Sequence, residues 1–362
     1  MERIEITRTK SSKPRPAEDR LQFGKVFTDH MFLMNYDEGK GWHSPRITPY
    51  QPFSLDPASS VLHYAQSVFD GLKAFRGQDG VIRLFRAPSH AARLNRSCEK
   101  LCIPAMDPAM IEASFQSLVA LEHEWVPRLA GTSLYLRPTV IAADTFLGVH
   151  PSHSYIYYLI LSPVGAYYAE GMNPVKILVS ETQVRAVKGG MGDAKCSGNY
   201  AASLFAATQA QAAGFTQVLW LDGVHHRYLD EVGTMNIMLK IGDEVITPPL
   251  SGTILPGVTR DSVLTLARDW GLRVSERAIA MDEVVGAAAA GTLAEMWGTG
   301  TAAVVSPVGE LGYQGERIII NGGKIGPLTQ RLYDAITAIQ YGAAPDKFGW
   351  TQTIPSALSK AA

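Results

Sequence analysis

The sequence predicts a two-domain protein of mixed α and β structure, on three observations. Its 362 residues suffice for roughly two domains with separate cores. Strand-length apolar runs and helical-period segments are interspersed in both halves. A stretch dense in Gly and Pro, from Pro163-Val164-Gly165 to Gly171-Met172-Asn173-Pro174, breaks the periodicity near the middle. The expected division is a small N-terminal α+β domain at 1–165, a connection at 166–174 and a larger C-terminal domain at 175–362.

In the first domain, 22–103 reads as strands and turns leading into a helix at about 88–101, where Leu94, Cys98 and Leu101 recur at helical spacing. Cys98 and Cys102 are therefore expected to pack as small apolar residues and not to form a disulfide. A second helix is predicted over about 109–125, and strands over 133–142 and 154–163. Beyond the connection, 175–180 is β-rich, 200–213 is an alanine-rich helix ending at Gly214, and 218–221 is a strand closed by Asp222-Gly223. Residues 235–241 and 244–246 flank Gly242-Asp243, a hairpin signal. Helices follow at about 259–270, with Gly271 just past the end, and at 326–341.

Composition excludes several function classes. With 33 Lys+Arg against 34 Asp+Glu the formal net charge is −1, so no basic field exists to hold nucleic acid or an anionic membrane. The three cysteines form no Cys-x-x-Cys pair. The nine histidines include no His-x-x-x-His or His-Glu-x-x-His, and His225-His226 would face opposite ways on an extended chain, so no metal site is expected. The first 20 residues are polar, and the longest apolar stretch, near 155–164, is far short of the ~20 residues of a membrane span. A cytoplasmic protein is the expectation.

The most informative segment is Lys188-Gly189-Gly190-Met191-Gly192-Asp193-Ala194-Lys195-Cys196-Ser197-Gly198-Asn199-Tyr200. It is not a phosphate loop, because Ala194 and Cys196 flank the lysine where Gly and Ser or Thr are needed, and Lys195 replaces the third glycine of a dinucleotide fingerprint. A lone lysine among small residues, followed by Asn-Tyr at a helix start, suits an amine that must reach a planar cofactor. Pyridoxal phosphate chemistry asks for such an amine, an anion for the pyridine nitrogen, a hydroxyl near the phenolate oxygen and a phosphate anchor. Lys195, Glu231 and Tyr200 are candidates for the first three. The helix opening at Leu255-Pro256-Gly257-Val258-Thr259-Arg260, with Arg93 as a charged fork, is the candidate for the fourth.

Taken in order, Gly190 to Tyr200, Glu231-Val232-Gly233-Thr234-Met235-Asn236, Leu255 to Arg260 and Gly298-Thr299-Gly300-Thr301-Ala302 resemble the branched-chain amino acid aminotransferases. The likeness extends through Leu62-His63-Tyr64, Val68 to Phe75, Ser133 to Pro138, Pro163 to Tyr167 and Gln340-Tyr341-Gly342. It implies a two-domain fold-type IV enzyme, similar to D-amino acid aminotransferase, that uses pyridoxal 5′-phosphate and works as a homodimer on leucine, isoleucine, valine, glutamate and their 2-oxo acids. It implies Lys195 as the Schiff-base and proton-shuttling lysine, with Arg93, Tyr200, Glu231, Thr234, Val258, Thr259 and Thr299 on the cofactor. Phe69, Tyr135 and Tyr167 would wall the side-chain pocket, with Tyr64 and Val149 coming from the other subunit. The main-chain amides of Thr301 and Ala302 would take the substrate α-carboxylate. Arg137, two residues from Tyr135 on a strand and so on the same face, would take the γ-carboxylate of glutamate. Other fold-type IV enzymes share Lys195 and Glu231; Arg137 with Tyr64, Tyr135 and Tyr167 argues for the branched-chain group. Three departures stand out, the first being Ser197-Gly198-Asn199-Tyr200 where the family has Gly-Gly-Asn-Tyr. Ala303-Val304-Val305-Ser306 lacks the thiol pair of the animal enzymes, and Asp70 replaces the usual Glu before Gly71.

Overall fold

The computed structural model describes residues 2–165 and 172–355, and the chain divides into two units. Unit 1 takes 1–167, 194–197 and 338–362; unit 2 takes 168–193 and 198–337.

Unit 1 is a sheet backed by helices. In chain order its elements are β1 (Glu5–Ile6), β2 (His30–Asp37), β3 (Gly41–Pro49), α1 (Ser60–Tyr64), β4 (Ser67–Phe69), β5 (Leu72–Arg76), β6 (Ile82–Phe85), α2 (Ala87–Lys100), α3 (Pro108–Leu121), β7 (Ser133–Ala142) and β8 (Ser154–Val164). The strands run β1-β3-β2-β8-β7-β5-β6, with β4 added on β7. Leu94 and Cys98 of α2 and Ile111, Phe115 and Leu118 of α3 join Leu136 and Tyr157 of the sheet in one buried core. Helix α3 starts where Asp107 accepts the Ala109 N–H and Pro108 needs no donor of its own. It stops at Leu121, short of the expected 125, because His123–Trp125 forms a separate 3₁₀ turn.

Unit 2 holds β9 (Val175–Val179), all but the first residue of α4 (Ser197–Ala202), α5 (Leu204–Ala212), β10 (Gln217–Leu221), β11 (Leu229–Val232), β12 (Met235–Ile241), β13 (Glu244–Thr247), α6 (Val258–Asp269), β14 (Arg273–Glu276), α7 (Met281–Ala289), β15 (Leu293–Gly300), β16 (Val304–Tyr313), β17 (Glu316–Ile319) and most of α8 (Pro327–Gln340). Its pairings close on themselves: β9 with β10, then β11, β12, β15, β16 and back to β9. A closed ring removes sheet edges, and Ile177, Leu219, Val232, Ile237, Met296 and Val308 belong to its core.

Three expectations are corrected. The helix expected at 200–213 is broken into α4 and α5 at Ser203, whose hydroxyl donates to the Tyr200 carbonyl at 2.7 Å, a local bond that competes with the helical ladder. The last strand, β18 (Thr351–Ile354), pairs with β6 in unit 1, covering what would be an open edge, so 338–362 does not belong with the rest of 175–362. Cys98 is buried as expected, but Cys102 lies beyond the end of α2 in a left-handed turn, φ 56°, and is exposed. The Gly/Pro-rich connection falls partly at 166–171, outside the described residues.

Candidate functional site

Lys195 is placed by backbone bonds within unit 1. Strand β4 pairs with β7 on one side, while on the other Val68 bridges Cys196 and the Phe69 N–H donates to the Lys195 carbonyl at 3.0 Å. The Lys195 N–H donates to Ser97 Oγ of α2 at 2.9 Å. The loop lysine is thereby held between a strand and a helix, with Nζ 4.9 Å from the centroid of the Phe69 ring. Burial pushes its ammonium down to about 8, helped by the neighbouring Arg93 cation. At that value about one amine in ten is neutral at pH 7, against fewer than about one in a thousand for an ordinary lysine.

Behind it stands a buried carboxylate whose role the sequence did not disclose. Asp70 accepts from Arg93 Nε at 2.8 Å and Nη2 at 2.7 Å, from His90 Nδ1 at 2.7 Å and from the Gly71 N–H at 2.7 Å. His90 and Arg93 lie one turn apart on α2 and so share a face. Burial by itself would raise the Asp70 carboxyl, but Arg93 and His90 hold it far below the usual carboxylate range. Burial lowers His90, which donates Nδ1–H as a neutral ring. The arginine expected at the cofactor phosphate is thus already oriented by a two-bond fork.

The same sheet brings together three of the residues expected to wall the side-chain pocket. Arg137 Nη2 donates to the Tyr135 hydroxyl at 3.1 Å, and its guanidinium lies 4.7 Å from the Phe69 ring centroid and 5.3 Å from that of Tyr135. Gly71 is required beside them, since a Cβ there would fall 1.8 Å from the Tyr135 hydroxyl. Tyr64 on α1 is 42% exposed, and Val149, in the loop after β7, is 87% exposed, so neither belongs to the core of unit 1. Tyr167 lies outside the described residues.

Unit 2 contains the other residues expected to face the cofactor. Glu231 on β11 is buried. Its Oε1 accepts the Leu255 N–H at 2.8 Å and Asn236 Nδ2 at 3.2 Å, and its Oε2 pairs with Arg185 Nε at 3.3 Å. Asn236 also reaches the Leu255 carbonyl at 2.9 Å, and a Cβ at Gly257 would fall 1.9 Å from Asn236 Oδ1. The glycine before α6 therefore protects the carboxylate's support. No side chain caps α6 at Gly257, which leaves the Val258 and Thr259 amides at a helix start suited to an anion. Thr299 on β15 is buried with no hydrogen-bond partner for Oγ1 among the described residues. An orphaned buried hydroxyl, an uncapped helix start and an oriented carboxylate fit a phosphorylated pyridine. Tyr200 lies on α4, half-buried, while Thr234 is exposed at the two-residue turn between β11 and β12. Thr301 and Ala302 form the turn into β16, where Val304 takes φ 62°. A β-branched residue there stores about 1–3 kcal/mol, strain of the kind that collects at ligand-holding turns.

Sequence reading missed Ser97 and Arg185 and passed over the roles of Asp70, His90 and Asn236. For Asp70 a signal existed: one acid inside the otherwise apolar run Val68-Phe69-Asp70-Gly71-Leu72 cannot be buried without partners.

Comparison with known proteins converges on one kind of enzyme. The chain matches the family described as amino-transferase class IV over residues 67–311. It is 54% identical over 352 residues to the branched-chain-amino-acid aminotransferase 2 of Bacillus subtilis, covering 97% of this chain and 96% of the other. A probable branched-chain-amino-acid aminotransferase of Streptomyces coelicolor is 46% identical over 92% of each chain. Among solved structures, the Escherichia coli branched-chain amino acid aminotransferase aligns with TM-score 0.76 at 25% identity, covering 90% of this chain and 99% of that one. A second solved branched-chain amino acid aminotransferase, from T.th. and with pyridoxamine 5′-phosphate, aligns with TM-score 0.73 at 26% identity, covering 89% and 98%.

Proposed function

The chain belongs to the amino-transferase class IV family, with a fold-type IV architecture, and we propose that it is a pyridoxal 5′-phosphate enzyme moving the amino group between L-leucine, L-isoleucine or L-valine and 2-oxoglutarate. The observation that carries the substrate reading is the grouping of Phe69, Tyr135 and Arg137, which offers apolar ring surface and one guanidinium together. Apolar walls discriminate a methylene by only ~1–3 kcal/mol, so the three branched substrates should be used comparably. An assay with each amino acid and 2-oxoglutarate tests this; activity confined to D-alanine would overturn it.

When bound, the cofactor supplies an electron sink that lets a proton leave the substrate Cα. Lys195 would hold it through its amine, and that amine would be the group that takes and returns a proton at the substrate Cα. Its lowered basicity suits this duty, because a base with pKa near 8 is both available and returnable at neutral pH. Glu231, kept oriented by Arg185, would favour a protonated pyridine nitrogen, and Tyr200 would face the phenolate oxygen. Arg93, the amides of Val258 and Thr259 and the Thr299 hydroxyl are the groups that would take its phosphate. Thr301 and Ala302 offer main-chain N–H groups to the substrate α-carboxylate.

Replacing Glu231 by Gln should leave cofactor bound and slow proton transfer by about 10²-fold, the scale of one well-placed electrostatic partner. Wild-type single-turnover rates in that variant would remove Glu231 from the site. For Arg137→Met, the half-reaction with leucine should change little, while that with glutamate or 2-oxoglutarate should weaken by about 2–5 kcal/mol, as when a desolvated charge loses its partner. Equal loss for both substrates would make Arg137 a structural residue.

The working unit we propose is a cytoplasmic homodimer in which exposed Tyr64 and Val149 complete the other subunit's pocket. Inactive Lys195→Ala chains mixed with impaired Tyr64→Ala chains should then regain activity, because one site of each heterodimer carries neither change. Heterodimers without recovered activity would place Tyr64 elsewhere.

A further inference from the structure

We propose that the loop between β7 and β8 is a zinc site, formed by Asp144, His150 and His153. One donor atom from each of the three lies within 4.8 Å of the others, and the two imidazoles meet edge to face with ring centroids 5.3 Å apart. Two imidazoles and one carboxylate are a donor set of zinc type, with a fourth position left for water.

The outer partners favour the same reading. His150 Nδ1 bonds the Pro151 carbonyl at 2.7 Å, so that nitrogen carries the proton and Nε2 keeps a lone pair. His153 Nδ1 bonds Glu38 Oε2 at 2.7 Å, with the same result. A carbonyl or carboxylate holding the distal nitrogen of a ligating histidine is the usual support of such ligands. Asp144 is fixed as well, accepting the His153 N–H on Oδ2 at 2.7 Å and the Ser154 hydroxyl on Oδ1 at 2.9 Å. The absence of a longer His-x-x-x-His pattern hid this group from sequence reading, since its His-x-x-His pair sits in a loop and its carboxylate six residues upstream.

The ion ties the loop's beginning at Asp144 to its end at His150 and His153. Between them lie the exposed Phe146, Leu147 and Val149. If the dimer proposed above is correct, zinc therefore stiffens the segment that reaches the other subunit.

The test uses the holoenzyme, freed of metal by chelation and dialysis, titrated with Zn²⁺ against a chromophoric chelator. One ion per chain is expected, with affinity at least about 10-fold weaker in His150→Ala and in His153→Ala, and about 10-fold weaker in Glu38→Gln, which spares the ligands. Zn²⁺ should raise the melting temperature of the wild type and leave that of the double histidine variant unmoved. A one-per-chain event unchanged in the histidine variants, or no such event in the wild type, would overturn the site. Transaminase activity decides neither outcome, so failure of the zinc site and failure of the enzymatic reading are separable.

Discussion

Lys195→Ala should lose transamination by about 10⁴-fold or more, the upper range for a single acid–base group, and should also lose the visible absorbance of a covalently linked cofactor. The fold should survive, because what places residue 195 is its backbone: the N–H bonded to Ser97 and the carbonyl bonded to Phe69. Removing a partly desolvated ammonium that lies near the Arg93 and Arg137 cations even relieves a repulsion, so the melting temperature should stay level or rise. A variant that keeps both the linked-cofactor spectrum and leucine turnover would move the reactive amine elsewhere. Lys73, a buried lysine whose ammonium is also lowered to about 8, would then be the first to examine.

The candidate residues could be named from sequence where their motifs are local. Lys195 and Tyr200 come five residues apart, Glu231 and Asn236 flank one tight turn, and Val258 and Thr259 open a helix marked by Pro and Gly. What stayed hidden depends on partners far along the chain. The fork on Asp70 arrives 23 residues later, and Arg185 lies 46 residues before the carboxylate it supports. Periodicity behaved the same way for the fold. It located α2, α6, β7 and β8, whose apolar patterns are strong, but not β18, whose four residues Thr-Gln-Thr-Ile carry no pattern until β6 offers an edge. The ring of unit 2 was equally invisible, since closure depends on β9 pairing parallel to both β10 and β16, across long stretches of chain. Thr234 shows the converse: it stands inside a recognisable motif, yet the turn leaves it exposed.

Asp70→Asn should be the most destabilising polar change in unit 1. The carboxylate receives four hydrogen bonds, two from one guanidinium, and is fully buried. An amide of the same size offers one acceptor oxygen and turns N–H groups toward donors, leaving the buried Arg93 charge uncompensated. Breaking such a pair from one side costs about 3–5 kcal/mol. The sign of the pH dependence follows from a carboxyl held below its unfolded value: its contribution is complete above about pH 4 and is lost as pH falls below that. The stability gap between wild type and Asp70→Asn should therefore narrow in acid, while Asp70→Glu, which keeps the charge, should lie between them at pH 7. A further readout separates positioning of Arg93 from general loosening. If Arg93 is the phosphate ligand, inorganic phosphate should stabilise apo Asp70→Asn more than apo wild type, since the anion answers a charge that Asp70 otherwise neutralises. Phosphate that stabilises both equally, together with a gap that does not change with pH, would mean Asp70 merely fills space beneath α2.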